Sequence, residues 1–217
     1  MITVPEVTEK IILSSPFLEE ALSESVINYS ALARKIKPEI QKKLLKNIKT
    51  GAIIMALRRL SRKIKPAASL QNILKLHRNI IVRSNLIEFV ISNSDFSVDK
   101  HKLLLALSEG QQKSFLTITK GVFETSVIAS RDLYDHILEI FPRENIINQF
   151  LNLSSVTIHL PQENIYVPGL YYFFLKSLAW VGINVIEVVS TYTEFTVVIE
   201  TGDVDRAFSI LKETEVT

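Results

Sequence analysis

The sequence predicts an α+β protein, with a basic helical amino-terminal domain followed by two βαββα units. Three observations carry this prediction. Up to about residue 65 the apolar residues recur at helical spacing. From Asn79 onward, β-branched runs alternate with helical ones. The β-α-β-β-α order read between Leu86 and Phe141 recurs between Val156 and Leu211, an internal repeat of pattern rather than of residue identity. The expected domains are residues 1–75, 76–148 and 149–217.

In the amino-terminal domain, Ser15-Pro16 supplies a helix cap and a first-turn proline, and Glu19-Glu20 suit the positive end of that helix. Phe17, Leu18, Ala21 and Leu22 form its apolar stripe. Asn28 or Ser30 caps a second helix with Leu32, Ala33 and Ile36 facing inward. Pro38 is expected to interrupt it and start another helix toward Leu44 and Leu45. A further helix runs from Thr50 to Ile64, its Ile53, Leu57, Leu60 and Ile64 on one face and Arg58, Arg59, Arg62 and Lys63 on others.

The first β-containing unit opens on Asn79 to Arg83 and Leu86 to Ser92, with Ser84-Asn85 expected to turn a hairpin between them. A helix from Val98 to Leu107 follows. Strands Ser114 to Thr119 and Val122 to Ala129 are joined around Lys120-Gly121, and a helix from Arg131 to Phe141 stops before Pro142. The second unit has a strand at Val156 to Leu160 and a helix at Pro168 to Trp180 capped by Gly182. Strands at Asn184 to Ser190 and Glu194 to Glu200 follow, then a helix from Asp203 through Leu211. The split β-α-β arrangement of the ferredoxin-like class is the natural fold for each unit.

Composition bounds the function. With 217 residues, 47% apolar and 22% charged, the chain has material for a real core. No apolar run reaches the roughly 18 residues of a membrane span. The acidic residues in Met1 to Lys10 do not match the layout of a signal peptide, and the expected location is cytoplasmic. The absence of cysteine excludes disulfides and thiolate metal sites.

The net charge of +2 conceals a segregation. Fifteen Lys or Arg lie between Ala31 and Arg83 with Glu39 as the only acid, leaving 10 basic and 22 acidic residues elsewhere. Such asymmetry means that the two parts meet different partners or meet each other.

Val167-Pro168-Gly169-Leu170, then Leu175, Leu178 and Ala179, then Gly182-Ile183-Asn184-Val185 are similar to the signature of the ACT family of amino-acid-binding regulatory modules. Thr196-Val197-Val198-Ile199 and Asp203-Val204-Asp205-Arg206-Ala207 resemble the family's third strand and second helix. The likeness covers about 60 residues and is strongest to the regulatory half of aspartokinases. The first unit is ACT-like in topology alone, lacking the Pro-Gly and Gly-Ile-Asn steps.

Two departures stand out. The family ends on a fourth strand, whereas only Lys212 to Thr217 follow Leu211; that strand is either borrowed from the other repeat, supplied by a second chain, or very short. No Lys-Phe-Gly-Gly-type phosphate-binding start is present, so kinase activity by this chain alone is not expected.

The resemblance implies ligand contacts at Tyr166, Val167, Pro168, Gly169, Leu170, Ile183 and Asn184. The physical basis is a helix amino terminus whose unpaired N–H groups and partial positive charge suit a carboxylate. Gly169 admits close approach, and Asn184 is expected opposite it. The alternative is a cap and tight turn that bind nothing.

Tyr171, Tyr172, Phe173, Phe174 and Trp180 cannot all face one core, so part of this set is expected at a protein interface, and a homodimer is the expected assembly. In the basic region, Tyr29-Ser30-Ala31-Leu32-Ala33 opens a helix that loosely resembles a helix-turn-helix, with the Asn79 to Ser92 hairpin as a wing. Arg34, Lys35, Arg58, Arg59, Arg62 and Lys63 are the candidate nucleic-acid contacts. A solvated face, or a surface docking the acidic remainder, is the competing reading.

Catalysis has little support. His77, His101, His136 and His159 share no metal-ligand spacing, and Asp132 and Asp135 read as solvated surface. No nucleophile elbow or phosphate loop is present, and no cofactor is implied. The reading is a non-catalytic regulatory protein responding to an amino acid or other small effector. A ligand-free adaptor binding an enzyme and a DNA-binding regulator are the alternatives.

Overall fold

Thr3 begins the first helix with a reciprocal cap: its hydroxyl accepts from the Glu6 N–H, and the Glu6 carboxylate accepts from the Thr3 N–H at 2.9 Å. In this computed structural model, which describes residues 2–64, 79–109 and 115–213, four helices follow in the amino-terminal unit. They are α1 (Val4–Leu13), α2 (Pro16–Ser23), α3 (Tyr29–Leu44) and α4 (Thr50–Lys63). Ile12, Leu22, Ala33, Ile40, Ile53 and Leu57 are fully buried in their common core.

Ser15 and Pro16 stand at the expected cap and first positions of α2, although the Ser15 hydroxyl makes no capping bond. Asn28 caps α3, its Oδ1 accepting from the Ala31 N–H. The expected break at Pro38 does not occur, and α3 is one helix of 16 residues. Pro38 lies on the exposed side while Ile36 and Ile40 bury the opposite face, so solvent can serve the carbonyl that loses its donor.

The chain divides into two units, residues 1–71 and 72–217. The expected boundary at 75/76, together with Lys65, Lys75, His77, Arg78 and Ser114, lies outside the described residues. The one expected at 148/149 falls inside a strand. Unit two runs β1 (Ile80–Ser92), α5 (Val98–Glu109), β2 (Leu116–Lys120), β3 (Glu124–Ser130), α6 (Tyr134–Ile140), β4 (Ile146–His159), α7 (Leu170–Trp180), β5 (Glu187–Ser190), β6 (Glu194–Glu200) and α8 (Val204–Glu213).

Its strands form one antiparallel sheet in the order β2-β3-β1-β4-β6-β5. This order holds two overlapping ferredoxin-like halves. The first is β2-β3-β1-β4, in which the second part of β1 and the first part of β4 serve as strands one and four. The second is β5-β6-β4-β1, in which the late part of β4 is strand one. Its fourth strand is the start of β1, where Ile80, Val82 and Arg83 pair with Ile158, Val156 and Ser155. The fourth strand of the second half is thus supplied from the segment ahead of the first repeat.

The hairpin expected at Ser84-Asn85 does not form. β1 runs straight through, with Asn85 at φ +60° and register shifts against β4 between Arg83 and Leu86 and again after Leu86. Asparagine tolerates the left-handed conformation, which here makes a bulge that bends the strand rather than reversing it. A wing at 79–92 is therefore excluded.

Each half buries its outer face under its own helices. Ile87, Phe89 and Ile91 of β1 and Val127 and Ala129 of β3 pack with Leu104, Leu133, Ile137 and Phe141. In the other half Val156, Ile158, Phe195, Val197 and Ile199 are buried together with Leu170, Phe174 and Leu178 of α7 and Ala207 and Leu211 of α8. The Phe174 ring stacks on Phe195 at 5.5 Å. On the inner face, Leu86, Ile128, Leu153 and Val198 form a further cluster flanked by Phe115, Phe150, Ile186 and Val189.

Candidate functional site

The loop after β4 is tied down before α7 begins. Residues Gln162–Tyr166 form a 3-10 turn, and Asn164, 5% exposed, donates its Nδ2 hydrogens to the carbonyls of Pro161 and Tyr192, both at 2.8 Å. Tyr192 lies in the β5–β6 turn, so one buried amide fixes two loops. The first half repeats the device: Asn93 Nδ2 donates to the Gly121 carbonyl of the β2–β3 turn at 2.9 Å.

The two halves differ at the next step. In the first, the Ser97 hydroxyl accepts from the Lys100 N–H at 3.3 Å and caps α5. In the second, α7 starts at Leu170 and its cap residue is Gly169, at φ +84°, which offers no side chain. The α7 amino terminus carries neither a side-chain cap bond nor an acidic residue in its first turn. Pro168, expected to open this helix, lies one residue ahead of its cap. A cavity of about 450 Å³ opens here, lined by Asn164, Ile165, Val167, Gly169, Leu170, Tyr171 and Tyr172. A carboxylate in it would meet the first-turn N–H groups of α7 and the positive end of its dipole.

Of the ligand residues inferred from sequence, Val167, Gly169 and Leu170 line this cavity, whereas Tyr166, Pro168, Ile183 and Asn184 do not. Ile183 and Asn184 are at the far end of α7: the Gly182 and Ile183 N–H groups close the helix on the Ala179 and Leu178 carbonyls. Eleven residues of helix place the two ends about 16 Å apart, so Asn184 is not opposite Gly169 within one chain. Asn164, Ile165, Tyr171 and Tyr172 were not among the inferred contacts. Asn164 gave no local signal, because its role depends on the distant Tyr192 carbonyl.

The aromatic residues of α7 separate as amphipathicity requires. Phe174 is fully buried, while Tyr171, Tyr172 and Trp180 stay exposed, Trp180 at 74%.

A second polar feature lies on the inner face of the sheet. Glu88, 3% exposed, accepts from the Ser126 hydroxyl and lies beside the Glu187 carboxyl. Burial pushes the Glu88 carboxyl up, with Ser126 and Glu187 opposing and Glu124 adding. Burial likewise raises Glu187, helped by the charge of Glu88. Among the described residues, the Glu88 Oε2 and Ser155 Oγ atoms are buried without a hydrogen-bond partner.

In the amino-terminal unit, Arg34, Lys35, Arg58, Arg59, Arg62 and Lys63 are all exposed. The Tyr29 hydroxyl donates to Ser61 Oγ at 3.2 Å, which sets the first turn of α3 beside the last turns of α4. The six cations therefore gather at one end of an antiparallel helix pair joined by Leu45 to Lys49.

Among the described residues, no three His, Asp or Glu side chains group to hold a metal, and no helix is long and apolar enough to cross a membrane. His101 packs edge-on against Phe96, His136 lies 3.7 Å from Glu139, and His159 is exposed. His77 is outside the described residues. Asp132 and Asp135 are both exposed.

No protein-family model and no curated protein matches the sequence. Among solved structures, the chain is similar to the aspartate kinase of Clostridium acetobutylicum, with 15% identity and a TM-score of 0.52 over 64% of this chain and 34% of that one. It thus spans about a third of that kinase's length. It is also similar to a structure of aspartokinase alpha and beta subunits, at 16% identity and a TM-score of 0.49 over 61% of this chain and 94% of that one. A third is the ligand-free regulatory subunit of aspartate kinase from Thermus thermophilus, at 12% identity and a TM-score of 0.47 over 61% and 93%. At these identities the likeness is one of fold.

Proposed function

We propose that this is a non-catalytic regulatory protein that binds a free amino acid at the amino terminus of α7. One observation carries the reading: the two repeats share the asparagine-tied loop, but Ser97 caps the helix of the first, whereas α7 of the second starts without a side-chain cap beside a cavity. The ligand's α-carboxylate takes the place of the absent cap, on the N–H groups of Leu170, Tyr171 and Tyr172. Ile165, Val167 and Leu170 supply the apolar wall, and the rings of Tyr171 and Tyr172 border it. A cavity of this volume has room for a free amino acid. The fold shared with the Clostridium acetobutylicum kinase, and the ACT-like signature around Gly169, point the same way.

The exposed Tyr171, Tyr172 and Trp180 support a homodimer of the second unit. Isothermal titration of the full chain with each of the twenty amino acids tests the reading, with Gly169→Asp as control. Heat from one or two amino acids that vanishes in the variant, with the dimer intact, supports a sensor. Dimerisation with no heat from any of them supports a ligand-free adaptor instead.

A further inference from the structure

We propose that the amino-terminal unit binds the sugar-phosphate backbone of double-stranded DNA through the end of the helix pair where Arg34, Lys35, Arg58, Arg59, Arg62 and Lys63 meet. This goes beyond amino-acid binding, and the two stand or fall separately. The juxtaposition comes from the Tyr29–Ser61 contact, which joins cations more than twenty residues apart in sequence. Among the described residues, none of these six side chains has an ion pair or hydrogen bond, and Glu39, the only carboxylate in α3 and α4, is engaged by Lys43 at 2.7 Å. The other acids of this unit (Glu6, Glu9, Glu19, Glu20 and Glu24) precede α3. The positive field is therefore not neutralised from within the pair.

The arrangement on α4 favours a duplex. At roughly 100° per residue, Arg58 and Lys63 mark the two margins of its exposed face, with Arg62, Met55 and Arg59 between them. A helix lying along a groove has phosphates on both flanks, and cations on both margins meet them. The residues that start this face, Gly51 and Ala52, are small enough for close approach.

Single strands are disfavoured, because stacking needs exposed aromatic rings. Tyr29 is the sole aromatic in α3 and α4, and it packs against the core. A protein partner is disfavoured for a related reason: the surface lacks the buried-aromatic anchors that dominate such interfaces.

The test is fluorescence anisotropy of a labelled, mixed-sequence duplex of roughly 30 base pairs against the full chain, across a salt series. About six phosphate contacts give a log–log salt slope near −5. Arg62→Gln should reduce the slope by about 1, and Arg58→Gln/Arg59→Gln/Arg62→Gln/Lys63→Gln should weaken binding at least tenfold. Lys100→Gln/Lys102→Gln, in the other unit, should leave binding unchanged. Circular dichroism melts establish that the variants fold; should the quadruple variant not fold, Arg34→Gln and Arg62→Gln are read singly. No binding at about 50 mM salt, equal affinity in folded variants, or tighter binding to single strands or duplex RNA overturns the proposal.

Discussion

The carboxyl of Glu88 on β1 lies close enough to that of Glu187 on β5 for each to shift the other, although β4 and β6 stand between those strands in the sheet. Three strand spacings on a flat sheet amount to about 14 Å, beyond the reach of two side chains rising from the same surface. The sheet must fold toward itself, and the bulges of β1 around Asn85 and Leu86 are where its pairing with β4 shifts. Strands that pass from one packed layer to another through bulges are a recognised way to make a corner. The two halves thus face each other across Leu86, Ile128, Leu153 and Val198, with the carboxyl pair between them.

This pair makes stability depend on pH. Both carboxyls have folded values raised above 4.5, so the folded state holds protons that the unfolded chain has released. Stability is fully present below about 4.5 and is lost as pH rises through the raised values. Glu88→Gln keeps an acceptor for Ser126 and cannot ionise. Its unfolding midpoint should exceed that of the wild type at pH 8, with the gain shrinking toward pH 4. A gain independent of pH would contradict the assignment.

Gly169 is required by its backbone as well as by the cavity. At φ +84° a Cβ is strained although nothing lies within 4 Å of it. Gly169→Ala should therefore cost about 1 kcal/mol of stability in urea unfolding, without steric disruption.

Asn164→Ala removes both bonds of the amide and leaves the carbonyls of Pro161 and Tyr192 without their donor. A loss of about 1–3 kcal/mol is expected, together with weaker amino-acid binding by calorimetry. Unchanged affinity would separate the loop from the site.

Phe174, fully buried and stacked on Phe195, anchors α7 to β6. Phe174→Ala should destabilise by about 3–5 kcal/mol, read as a drop in the denaturant midpoint.

Pro38→Ala should stabilise the amino-terminal unit by about 1–3 kcal/mol, because the helix already runs through that position and alanine restores the missing N–H.

Local signals in the sequence served well where local physics decides. The Asn28 cap, the Ile53-Leu57-Leu60 face and the Gly182 stop all lie where their residue types place them. Pairing across the sheet was not legible. Ile146 to Leu153 carries Asn148, Gln149 and Asn152 and has little of a strand's alternation, yet β1 holds its first part in register. Ser84-Asn85 carries a turn signal, but the chain used its left-handed residue for a bulge. The site was half legible for the same reason. Val167, Gly169 and Leu170 are contiguous with the motif, whereas Asn164 acts through Tyr192, 28 residues away.

That the uncapped end of α7 holds a free amino acid can be tested by thermal unfolding of the full chain against each of the twenty amino acids. A ligand at about 100 times its dissociation constant stabilises by roughly 2.7 kcal/mol, a readily measured rise in midpoint. Such a rise is expected with one or two amino acids, and none in Gly169→Asp. No rise with any of the twenty, or a rise retained in Gly169→Asp, would contradict it.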